Sequence, residues 1–176
     1  INGFSTIKIF TIYNWFLFVL CIFIVFTLWF IFFKLIGDKR TKKSYVLTNI
    51  YTVLFLPLAM SLGFIGVAFG KIFTVNTQVL LTATINMKLF LGISVALFLC
   101  TTLYIYSLVE MPTKYIDIQP KIKKILTSIL LSIIIISLLS QYITLEWFLI
   151  LLLILLLVLP IIILKLWNNL ELKTNE

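Results

Sequence analysis

Apolar and polar positions in this chain do not alternate and do not fall into short amphipathic stripes; they segregate into long blocks. Five blocks, at about 12–33, 50–70, 89–109, 125–142 and 147–164, contain no Asp, Glu, Lys, Arg or His. Each is long enough, or nearly so, to cross a hydrocarbon layer that takes about 20 helical residues. Helices are the expected form, because a lipid-exposed strand leaves backbone groups unpaired and the dyad alternation of a membrane barrel is absent. The fifth block, WFLILLLILLLVLPIIIL, is apolar on every side, and its Pro160 is expected to bend the helix. The pattern therefore predicts an all-α, polytopic bundle of about five transmembrane helices in one domain spanning 1–176.

Composition agrees with the blocks. Of the 176 residues, 62% are hydrophobic and 11% charged, far from the balance of a water-soluble domain. The lipid bilayer is the first partner implied. The first block follows Lys8 and could be mistaken for a secretory signal. It is too long for the usual apolar core of one, and WFIFFKL follows in place of a small-residue cleavage site, so a retained helix is expected.

Charge then sets a direction. With five spans, the segments after the first and third helices and the C-terminal tail share one side. They carry Lys34, Lys39, Arg40, Lys42 and Lys43; Lys114, Lys121, Lys123 and Lys124; and Lys165 and Lys173, leaving only Lys8, Lys71 and Lys88 for the other side. The positive-inside rule places the N-terminus outside and the C-terminus inside. The net charge of +8 does not make a nucleic-acid binder: the run KLIGDKRTKK is short, borders a span and has no interleaved aromatics on which bases could stack. It reads as a topology determinant near anionic headgroups.

Within the second block, LGFIGVAFGK holds three of the chain's six glycines. Ala59, Gly63, Gly66 and Gly70 recur at steps of four, three and four, which gathers them on one helix face. Small residues let backbones approach closely, a main source of helix association in lipid. Gly92, Ala96 and Cys100 form a similar row on the third helix, and the expectation is that these two rows meet in an antiparallel pair. Pro57 is read as shaping the second helix. The uncharged connection 72–87 is read as an interfacial segment or an extension of its flanking helices, with a re-entrant loop as the functional alternative. Ser128, Ser132, Ser137 and Ser140 lie close to one stripe of the fourth helix and are expected to hydrogen-bond across to a neighbour, with the lining of a small pore as the functional alternative.

Candidate chemistry is sparse. The chain has no histidine, which removes the usual haem, zinc and copper ligand and every histidine-based triad. Cys21 and Cys100 both lie within spans and make no redox motif. No catalytic, metal or cofactor site is predicted. Of the acidic residues only Glu146 falls on the lysine-poor side, and none is expected at the midplane, where an ionisable group would mark an ion path. The reading that follows is a noncatalytic hydrophobic subunit of a larger membrane complex, such as an energy-transducing one, with other integral membrane subunits as partners. The alternative is a small oligomeric transporter or channel for a small solute or ion. The cytoplasmic membrane of a prokaryote and the inner membrane of an organelle are equally compatible with the sequence.

Overall fold

The computed structural model describes residues 12–37, 44–74, 81–110 and 118–174. Five helices account for nearly all of them: α1 (Ile12–Phe32), α2 (Tyr45–Thr74), α3 (Leu81–Leu108), α4 (Gln119–Leu138) and α5 (Leu145–Thr174). A π-helical turn, Phe33–Gly37, extends α1, and a 3-10 turn, Leu139–Tyr142, extends α4. There are no strands among the described residues. Each helix is long and apolar enough to cross a bilayer, so the protein is an integral membrane helical bundle.

The helices run past the hydrophobic blocks that announce them. α2 has 30 residues, about 45 Å at the helical rise, against a hydrocarbon core of about 30 Å. A helix of that length crosses the layer with residues to spare, which tilt or projecting ends accommodate. α2 continues to Thr74 and α3 begins at Leu81, so the described parts of the 72–87 connection are continuous with the flanking helices; the interfacial and re-entrant readings fall on 75–80, outside the described residues. Both α2 and α5 are continuous through their prolines, Pro57 and Pro160. Pro120 sits in the first turn of α4, where its missing N–H would have no helical acceptor anyway.

α3 is the central helix. It lies between α2 and α4, while α5 packs on α4 and α1 and also reaches α3. In α3 61% of the apolar span is enclosed, compared with 28% in α2. The core is a continuous set of aliphatic side chains: Leu20, Ile24, Leu28 and Ile31 from α1, Leu91, Val95 and Leu99 from α3, Leu126 and Ile133 from α4, and Leu152, Leu156 and Leu159 from α5. Large hydrophobic side chains also cover the outside, including Phe23, Phe26, Val53, Leu131, Ile154 and Ile161. That is the arrangement expected where the solvent is lipid. Tyr45 projects at one end of the bundle and Tyr142 and Trp147 at the other, all exposed, in keeping with aromatic belts.

Candidate functional site

The sequence points to helix faces, and α2 is where structure and expectation part. α2 does pair with α3, but through a different stripe. Leu58, Ser61, Ile65, Ala68, Phe69 and Ile72 are its buried positions, with Ser61 and Ala68 fully enclosed. These recur at the three- and four-residue steps of one helix face, and the two small side chains let α3 come close. The Ser61 hydroxyl donates to the Leu58 carbonyl at 2.6 Å, so its polarity is satisfied within the helix.

The row Ala59, Gly63, Gly66 and Gly70 is centred roughly 140° away from that stripe, at 100° per residue. Ala59, Gly63 and Gly66 are exposed and Gly70 half-buried. A Cβ added at Gly63, Gly66 or Gly70 would meet nothing within 4 Å. The glycine row therefore does not form the α2–α3 contact within one chain. α1 is the other helix on this flank, and it stays off. Phe18 meets Phe73 near one end and Phe32 meets Phe55 near the other, each edge-on with ring centroids 6.1 Å apart. These two ring contacts bracket the stretch of α2 in which the small residues lie. Trp29 of α1, tilted against Phe33 at 4.6 Å, is exposed.

The row on α3 has a different fate. Gly92 and Ala96 are buried and Cys100 is exposed. Gly92 faces α4 and α5: a Cβ there would collide with the Ser137 hydroxyl, lie 2.7 Å from the Ser137 Cβ and 3.4 Å from Phe148 Cζ. Here the absence of a side chain is what allows three helices to converge. Ser137 itself donates to the Ile133 carbonyl at 2.7 Å, and Ser132 to the Ser128 carbonyl at 3.0 Å. These serines bond back to their own helix instead of across to a neighbour. The expected serine stripe also splits, with Ser137 and Ser140 buried and Ser128 exposed.

One turn from Gly92 on α3 is a cluster that the sequence reading passed over. Lys88 is only 5% exposed, and its ammonium donates to the Ile143 carbonyl at 2.5 Å. Ile143 closes the 3-10 turn with an extended backbone (φ −114°, ψ 138°), so Lys88 caps the end of the α4 unit with a positive charge, where the helix dipole favours one. Glu146 stands in the first turn of α5, where the dipole favours a negative charge. Its carboxylate accepts a hydrogen bond from the Tyr13 hydroxyl of α1 at 2.5 Å. The start of α1, the start of α3, the α4–α5 turn and the start of α5 are thus joined by polar contacts at the lysine-poor end. The available signal was the depth of Lys88, directly against the third apolar block, where a cation needs a partner.

Among the topology residues, Lys34 lies half-buried on the π turn; Lys121 and Lys124 are exposed and Lys123 half-buried at the start of α4. Lys39, Arg40, Lys42, Lys43 and Lys114 lie outside the described residues. Gln119, at the start of α4, donates to the Tyr106 carbonyl near the end of α3 at 3.5 Å, which keeps these two helix ends together on the lysine-rich side. No group of His, Cys, Asp and Glu suited to a metal occurs among the described residues. No protein-family model, curated protein or solved structure matches the chain.

Proposed function

We propose that the protein is a noncatalytic hydrophobic subunit of a larger membrane complex, such as an energy-transducing one, held with its lysine-rich end inside and its N-terminus outside. The observation that carries the reading is the open glycine row of α2. Within lipid, a face of Ala59, Gly63, Gly66 and Gly70 gains little from acyl chains, and its use is to let another backbone approach. Among the described residues, no atom lies within 4 Å of a Cβ added at Gly63, Gly66 or Gly70. α2 is also the helix attached to the bundle mainly through one neighbour, α3, so a large part of its surface is left for a helix of another membrane subunit.

The transporter or channel reading has less to support it. Among the described residues, the buried hydroxyls of Ser61, Ser94, Thr101, Thr102 and Ser137 each donate to a carbonyl of their own helix and so are already used. Gentle solubilisation from native membranes followed by native mass spectrometry tests the proposal. The expected result is co-isolation with other integral membrane proteins in fixed stoichiometry, with Gly66→Leu reducing recovery of the assembly while the chain itself stays folded. A chain that runs only as a monomer, or only with copies of itself, overturns it.

A further inference from the structure

We infer that Tyr13, Glu146 and Lys88 form a latch that holds the first turn of α1 against the bundle, so that α1 is a strapped element whose first turn can be released while the remaining four helices stay packed. The inference rests on geometry at the two ends of α1. At the far end the helix passes into the π turn, which drives Leu35 and Ile36 into the interior, 0% and 1% exposed, next to α3. That end is anchored by a plug of aliphatic volume. Along its middle, α1 offers α5 apolar side chains, and in a bilayer such contacts are drawn together only by packing, because lipid tails are equally apolar. The buried hydroxyl of Thr27 donates to Phe23 of its own helix and ties α1 to nothing else.

The near end is held by a hydrogen bond that has a direction and a charge. Glu146 is the centre of it: it accepts from Tyr13 of α1, and its charge acts on the enclosed ammonium of Lys88, whose own bond goes to the carbonyl of Ile143, three residues before Glu146. Neutralising Glu146 weakens the Tyr13 bond, since hydrogen bonds to an ionised acceptor are about twice as strong as neutral ones. It also removes the negative charge that accompanies Lys88, and a low-dielectric site tolerates an uncompensated cation poorly. Both effects favour an arrangement in which the start of α1 moves off and water reaches the lysine. The latch therefore answers to the charge on one carboxyl group.

Cys21 reports on the strap, because it lies on the packed face of α1 at 4% exposure. The full-length protein in detergent, with the exposed Cys100 replaced (Cys100→Ser), is reacted with a fluorogenic maleimide at fixed pH and temperature. Glu146→Gln is expected to raise the labelling rate of Cys21 about tenfold, as weakening of the Tyr13 bond and loss of the charge beside Lys88 together shift the opening equilibrium. Tyr13→Phe, which removes a single oxygen, raises it less, and Glu146→Asp restores most of the protection. A second reporter separates release of α1 from general loosening: a thiol introduced by Ile129→Cys on the enclosed face of α4, in a background lacking both native cysteines, is expected to stay slow in the same variants. Unchanged Cys21 labelling in both Glu146→Gln and Tyr13→Phe overturns the latch. So does a parallel rise at both reporters, which would mean that the whole bundle had loosened.

Discussion

Gly92 and Gly66 belong to the same class of residue, on adjacent helices of one hairpin, and the bundle treats them in opposite ways. At Gly92 three helices converge so closely that a single added carbon would strike Ser137. At Gly66 the added carbon would enter open space. Spacing alone made the two rows look like halves of one contact. The difference shows that small-residue periodicity identifies a face suited to close approach without identifying what approaches it. That choice depends on what the neighbouring helices present: α1 meets α2 through Phe18–Phe73 and Phe32–Phe55, on either side of the glycine row, whereas α4 brings the small side chain of Ser137 directly onto Gly92.

The largest effect is expected at the closed site. Gly92→Ala should destabilise the purified protein by about 1–3 kcal/mol, as overpacking of a filled interior does. A shift of the Ser137 hydroxyl alone cannot relieve it, because the Ser137 Cβ is itself 2.7 Å away. Thermal unfolding in detergent measures this, and a neutral result would mean that α4 can slide freely on α3. The reciprocal pair Gly92→Ala with Ser137→Gly adds a methyl group on one side of the contact and removes the hydroxymethyl group on the other. It should recover most of the loss in a double-mutant cycle, and additive losses would place the strain elsewhere.

Next in size is Lys88→Met, which keeps the apolar stem but removes the donor to the Ile143 carbonyl. A buried acceptor left without its partner costs about 1–3 kcal/mol, and the cap on the α4 unit goes with it. Unfolding measurements should place this variant near Gly92→Ala or a little milder; wild-type stability would show that water replaces the ammonium.

The smallest effect belongs to the open row. Gly66→Leu should change the stability of the isolated chain by about 0.5 kcal/mol or less, the ordinary range for a site that touches nothing. Cysteines at Gly66→Cys and Ala96→Cys, with the native thiols removed, should fail to crosslink within a chain. An efficient intrachain disulfide would restore the direct meeting of the two rows and erase the contrast between the glycines.

Much of the fold was legible because lipid imposes a simple rule: an uncharged run of sufficient length becomes a helix whatever its details. The five blocks appear as five helices, and the direct pairing of α2 with α3 follows from their short connection. The candidate site was less legible. Periodicity found the small residues of α2, yet the stripe actually used, with Ser61 and Ala68, was hidden beside a more conspicuous row of glycines. The latch was hidden for another reason. Tyr13 and Glu146 are 133 residues apart, and no local pattern ties the two.

By itself, then, the sequence determined the solvent, the secondary structure and the asymmetry of charge between the two ends of the bundle. All three follow from transfer of side chains and backbone between water and lipid, which each segment experiences on its own. Tertiary structure alone decided which glycine meets a neighbour, which lysine is enclosed and which helix is strapped. In a bilayer those outcomes are set by volume matching and by a few polar contacts between distant segments, and neither is written in the apolarity that every helix shares.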